Sequence, residues 1–202
     1  MPQPLYLFAG ALSWPFVGLP FRLRATGQEN LPEGGYVLAA NHTSNLDPWP
    51  LGLPLWPRRQ LRFMAKSELF NTFLTPILKG GGAFPVRRGK GDVEAIERAA
   101  ELVREGEIVV MFPEGTRRQK GLRKRHEARP HTGAARIALI AGVPLVPAAI
   151  KGTDRITRLG PLRVAYGRPI PLEDLRDREL KSASREATAR LMAAIHDLEE
   201  TL

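Results

Sequence analysis

Between Asp92 and Phe112 a helix stops at a glycine and hands over almost at once to an uninterrupted apolar strand, a pairing that few architectures accommodate. Asp92 is placed to cap the helix, Val93, Ile96, Ala99, Ala100 and Val103 fall on one face, and Gly106 ends it. Ile108-Val109-Val110-Met111-Phe112 then runs without a polar interruption, the pattern of a short, fully buried strand. The same grammar recurs along the chain. Gly35–Ala40, Arg62–Ala65, Leu145–Ile150 and Leu162–Tyr166 read as strands, and Ala83–Arg87 as a short edge strand because of Pro85. Thr132–Ala141 reads as a helix stopped by Gly142, and Glu68–Leu78 as partly helical, broken by Pro76. Glu173–Glu200 reads as one long tail helix with Leu180, Ala187, Leu191, Ile195 and Leu198 inward. Strands alternating with helices imply an α/β domain: a mixed, largely parallel sheet flanked by helices, with ligand-binding loops at the carboxyl ends of its strands.

With 202 residues, 43% of them hydrophobic, the chain is long enough for one domain with a real core. It has no cysteine, which removes disulfides, thiolate metal ligands and a cysteine nucleophile together. The four histidines, His42, His126, His131 and His196, have no zinc-ligand spacing, so no metal is expected. A net charge of +9 suits an anionic partner: a phosphorylated substrate, an acidic carrier protein, an anionic membrane surface or a nucleic acid. Residues 5–21 carry no charge, and Pro15 and Pro20 interrupt them before a spanning length of about 20 residues is reached. The expectation is an apolar segment over residues 1–24 lying in a membrane interface, with Trp14 and the phenylalanines at headgroup depth, ahead of a domain over 25–202. An ordinary helix packed on the domain would have the same composition.

Directly after the first strong strand comes Asn41-His42-Thr43-Ser44-Asn45-Leu46-Asp47-Pro48. Positions i and i+5 sit about 140° apart on a helix, so only a turn can bring Asp47 back to His42 as an oriented general base. The competing reading makes Asp47 a plain N-cap before Pro48 and His42 a hydrogen-bonded, partly buried side chain. After the buried strand ending at Phe112 comes Pro113-Glu114-Gly115-Thr116-Arg117-Arg118, which offers a turn, a hydroxyl and a guanidinium for an anion, or simply a solvated loop. Arg87 and Arg88 close the short strand after Gly80-Gly81-Gly82 with a second cationic end.

Taken in order, these blocks resemble the glycerolipid acyltransferases of the lysophosphatidic acid acyltransferase type. The NHxxxxD block is Asn41-His42…Asp47, and the GxxxxxR block is Gly82–Arg88 with one residue of difference in spacing. FPEGTRS appears as Phe112–Arg118, with Arg118 in place of the serine, and VPxxPxxI as Val143–Ile150. The resemblance implies direct transfer of a fatty acyl group from an acyl thioester, acyl-CoA or acyl-ACP, to the sn-2 hydroxyl of 1-acyl-glycerol 3-phosphate, without a cofactor. His42 would be the general base and Asp47 its orienting carboxylate, and Arg87 and the block Glu114, Gly115, Thr116 and Arg117 would hold the acceptor's phosphate. Lys66 resembles a recurrent family lysine. A peripheral enzyme on the cytoplasmic face of a membrane is the corresponding expectation, with a lysophospholipid and acyl-CoA or acyl carrier protein as partners and no nucleic acid. Another acceptor (glycerol 3-phosphate, a different lysophospholipid or a glycolipid) fits the same motifs. The basic run Arg118–Arg129, and His131 where many relatives carry a lysine, bear on headgroup and donor preference. A non-enzymatic basic module binding membrane or nucleic acid would account for the charge but gives His42 and Asp47 no role.

Overall fold

The structure is a computed structural model describing residues 2–73, 75–86, 92–114 and 130–202. Its centre is β2 (Tyr36–Ala40), whose five residues are all buried. Side chains alternate across a strand, so Val37 and Ala39 enter one core while Tyr36, Leu38 and Ala40 enter another. Such a strand must be covered on both faces, which is why its sequence shows no polar alternation. β5 (Ile108–Met111) divides the same way, Val109 to the first core and Ile108 and Val110 to the second.

β1 (Arg24–Thr26), β3 (Leu61–Lys66), β4 (Ala83–Val86), β6 (Leu145–Lys151) and β7 (Arg163–Tyr166) complete a seven-stranded sheet of order β1-β7-β6-β2-β5-β3-β4. β6, β2, β5, β3 and β4 are mutually parallel; β7 pairs antiparallel with β6, and β1 runs parallel with β7. The mixed, largely parallel sheet matches the sequence reading, and β4, with Pro85 and preceded by the short helix α3 (Thr75–Gly80), is the edge strand expected. β1 was not legible in the sequence: three residues with two polar side chains, held only against β7.

One face is covered by α4 (Asp92–Arg104), α5 (Gly133–Ala141) and α6 (Leu180–Thr201). α4 packs through Ala99, Ala100, Leu102 and Val103, whereas Val93, expected on that face, is exposed at the helix's first turn. The tail also departs from expectation. A 3-10 turn at Glu173–Leu175 precedes α6, which starts only at Leu180. Leu172 and Leu175 enter the core there, while Leu180 is 37% exposed. Arg190 grips both Asp174 carboxylate oxygens at 2.8 and 2.7 Å and pins that turn to α6.

Before the sheet come α1 (Pro4–Ser13) and a π-helical turn, Trp14–Gly18. α1 is tied to the domain by Tyr6 Oη donating to the Arg59 carbonyl (2.9 Å) and Trp56 Nε1 donating to the Leu7 carbonyl (3.2 Å). Phe8, Leu12, Phe16 and Leu19 remain more than half exposed. Among the described residues no helix is long and apolar enough to cross a membrane.

Candidate active site

Because β2, β5 and β6 are parallel, the loops leaving all three emerge at one edge of the sheet. Asn41 closes β2 there. Its side-chain amide pairs with Ile150 of β6 as a peptide group would, Nδ2 donating to the carbonyl (2.9 Å) and Oδ1 accepting the amide (2.8 Å). Nδ2 also donates to Glu199 Oε1 at the end of α6 (2.8 Å). The strand is thus held while the main chain turns away.

His42 follows. Asp47 stands one residue before α2 (Pro48–Gly52), in the N-cap position, yet its carboxylate caps nothing. It folds back into its own loop, where Oδ2 accepts His42 Nδ1–H (2.8 Å), the Thr43 amide (2.7 Å) and the Ser44 amide (2.9 Å). Oδ1 accepts the Thr153 hydroxyl at 2.5 Å and, at 3.3 Å, that of Thr43. Of the two sequence readings, the cap is therefore excluded and the histidine partner is observed. Burial pushes the Asp47 carboxyl up, but the hydrogen bonds from His42, the Ser44 amide, Thr153 and the Thr43 amide outweigh it and leave the group below the ordinary carboxylate value. An ionised carboxylate only accepts, so Nδ1 must carry the ring proton and Nε2 is the basic nitrogen. The ring is also stacked on Phe112, the first residue past β5, with centroids 4.2 Å apart and planes 20° apart.

Thr153 went unnoticed in the sequence. It lies 106 residues from Asp47, just past β6, and reaches the loop only because β6 lies beside β2. Gly152 before it has φ of 99°, and a Cβ there would strike the Pro161 carbonyl, so the turn requires glycine. A glycine followed by a hydroxyl residue at the end of an apolar strand was the available signal.

His42 lines a cavity of about 540 Å³ with Asn45, Met64, Phe112, Thr132 and Arg136 among its walls. Pro48 and Phe63 belong both to this cavity and to an adjoining apolar groove of about 390 Å³, walled by Tyr6, Gly10, Trp49 and Trp56. The histidine thus lines a cavity that borders hydrocarbon-like surroundings.

The acyltransferase family profile matches residues 22–151, more than half of the chain. This chain belongs to the acyltransferase family. A 1-acyl-sn-glycerol-3-phosphate acyltransferase of Bacillus subtilis (strain 168) is 32% identical over 203 residues, covering 98% of this chain and 98% of the relative. A probable 1-acyl-sn-glycerol-3-phosphate acyltransferase of Mycoplasma pneumoniae is 35% identical over 135 residues, covering 62% of this chain and 47% of the relative. The fold is that of the crystal structure of the 1-acyl-sn-glycerophosphate acyltransferase PlsC from Thermotoga maritima, with TM-score 0.59, 21% identity, and 96% of this chain and 94% of that chain covered.

Of the site residues expected in this acyltransferase, His42 and Asp47 are in direct contact. Glu114 is half-buried, two residues beyond Phe112 at the same sheet edge. Lys66 is the last residue of β3, and its side chain is outside what the structure describes. Arg87, Gly115, Thr116 and Arg117 lie outside the described residues, as does the basic run to Arg129.

Proposed function

We propose that this acyltransferase moves a fatty acyl group from an acyl thioester to the sn-2 hydroxyl of 1-acyl-glycerol 3-phosphate, with His42 as general base. The observation that carries the reading is the His42–Asp47 pair, with His42 lining a cavity that shares Pro48 and Phe63 with an apolar groove. The Bacillus relative, a 1-acyl-sn-glycerol-3-phosphate acyltransferase, and the probable one of Mycoplasma support the acceptor. In the proposed step, the acceptor hydroxyl gives its proton to His42 Nε2 as its oxygen bonds to the thioester carbonyl carbon. The C–S bond then breaks, and the imidazolium returns the proton to the departing thiolate. Asp47 stabilises the imidazolium between these events. The products are an ester and a free thiol, so the two substrates balance the reaction by themselves. The groove shared through Pro48 and Phe63 would take an acyl chain, and Arg87 with the Glu114–Arg117 block, together with Lys66, would hold the acceptor's phosphate.

The test is release of thiol from acyl-CoA and from acyl carrier protein thioesters, offered with acceptors that do and do not carry phosphate. Turnover with lysophosphatidate, at least about tenfold above its dephosphorylated counterpart, is the expected result for charge-assisted phosphate contacts. Equal turnover of the two would remove the phosphate from the reading, and turnover of glycerol 3-phosphate alone would replace the acceptor.

We also propose that the N-terminal segment is a membrane-interface element on a peripheral enzyme. Phe8, Phe16 and Leu19 are 68%, 68% and 71% exposed, a density of large apolar side chains that water does not favour. Vesicle flotation should show the intact chain bound, and replacement of these three by serine should weaken binding by at least about a hundredfold, given roughly 1.5–3 kcal/mol per large side chain buried. Unchanged flotation of the triple variant would place the contact elsewhere.

A further inference from the structure

The described residues include one buried side-chain polar atom without a hydrogen-bond partner, Nε of Arg136. Arg136 lies on α5, in the wall of the cavity that contains His42. Its neighbours on the helix, Ala134, Ala135, Ile137 and Ala138, are packed into the core, so the helix cannot turn to carry the guanidinium elsewhere. No ion pair or hydrogen bond satisfies this side chain among the described residues, although Arg62, Arg98 and Arg190 are each paired with a carboxylate. A buried donor on a charged group left without a partner is destabilising, and a ligand arriving in the cavity would satisfy it.

The surroundings fit an anion. α5 is nine residues long and no side chain caps its first turn. His131, Thr132 and Gly133, which open the helix, line the same cavity. The His131 amide donates to the Pro113 carbonyl (2.7 Å), which fixes the start of α5 against the exit of β5, next to Phe112 and the His42 ring stacked on it. Helix-start amides and a planar guanidinium favour an oxyanion, and a phosphate best of all because it can accept from both.

We propose that Arg136, with the uncapped first turn of α5, binds a phosphate group of a substrate in the His42 cavity. This rests on the acyl-transfer reading for the identity of the substrates but not for the binding itself. Two sources carry that chemistry: the phosphomonoester of the acceptor and the phosphate of the donor's phosphopantetheine arm, a diphosphate in coenzyme A and a phosphodiester on a carrier protein.

The test uses the intact protein with Arg136→Gln and Arg136→Lys. Bound ligand raises the thermal midpoint of wild type, read separately with lysophosphatidate and with coenzyme A, and neither measurement requires turnover. The expected result is a shift for at least one ligand that Arg136→Gln loses and Arg136→Lys partly restores, with the ligand-free midpoint not lowered. In steady state, Arg136→Gln should raise KM for that substrate by about tenfold or more and leave kcat within about threefold, since a charged hydrogen bond contributes on that scale. A raised KM for the acceptor assigns the phosphomonoester. A raised KM for acyl-CoA, absent with a phosphate-free acyl N-acetylcysteamine donor, assigns a donor phosphate, and persistence of the effect with an acyl-phosphopantetheine donor places it on the pantetheine arm. Equal shifts and KM values in wild type and Arg136→Gln overturn the proposal, as does a lowered ligand-free midpoint with kcat falling and both KM values unchanged. Ligand shifts without transfer to any acceptor would sink the acyl-transfer reading alone.

Discussion

His42→Ala should lower kcat by about 10³–10⁴-fold while the protein remains folded. The expectation follows from what the side chain touches. Nδ1 is committed to Asp47, so the imidazole has one nitrogen to offer the cavity, and alanine removes it. The fold should survive because Asp47 keeps the Thr43 and Ser44 amides and the Thr153 hydroxyl, and stays a satisfied, buried anion without His42. Loss of the stack on Phe112 costs about 1 kcal/mol. The companion substitution is Ser44→Ala. The Ser44 hydroxyl accepts the Leu46 amide at 3.2 Å, a turn contact, so its removal should change kcat by less than about threefold. The measurement is thiol release under saturating acyl-CoA and lysophosphatidate, with mass spectrometry of the protein during a single turnover. A His42→Ala enzyme within tenfold of wild type would remove the general base from the mechanism. An acyl adduct on Ser44 would replace direct transfer with a covalent route.

Legibility in the sequence tracked how local each determinant was. β2, β5 and β6 could be read because strands buried on both faces have no polar positions to confuse the pattern. α4 and α5 could be read because Gly106 and Gly142, with φ of 89° and 68°, stop them at the residues where the chain turns. β1 depends on a partner more than 130 residues away, and Arg24-Ala25-Thr26 has no strand signature of its own. The tail misled because Glu173–Glu200 is rich in helix formers throughout. What divides it is tertiary: Leu172 and Leu175 drop into the core and the chain must restart as α6. The loop after β2 is the sharpest case. Asp before Pro is a good cap and also a good partner for a histidine five residues earlier, and the same letters allow both. The decision lies in the Thr43 and Ser44 amides, which converge on Oδ2, and in Thr153, which becomes a neighbour only after β6 has docked.

Asp47→Asn is the substitution that separates charge from orientation. Oδ2 faces three N–H donors, so an amide can sit there only with its oxygen in that place and its NH₂ towards the hydroxyls of Thr153 and Thr43. Those hydroxyls can rotate to accept. His42 therefore keeps its tautomer and its position, and the variant loses only the negative charge beside the imidazolium. At about 4 Å and an effective dielectric near 20, that attraction is about 4 kcal/mol, so kcat should fall roughly a thousandfold. Asp47→Ala goes further, because it also strands the two amides at about 1–3 kcal/mol each, and should lower the thermal midpoint by more than Asn does. Acid unfolding gives a second readout with a fixed sign. The Asp47 carboxyl is depressed in the folded state, so its contribution to stability is fully present above the unfolded carboxylate value of about 4 and is lost as pH falls through the folded value. The stability gap between wild type and Asp47→Asn should therefore be constant from neutral pH down to about 5 and shrink below about 4. A gap that widens on acidification would mean that Asp47 is protonated in the folded protein. Full activity in Asp47→Asn would mean that the carboxylate only holds the loop.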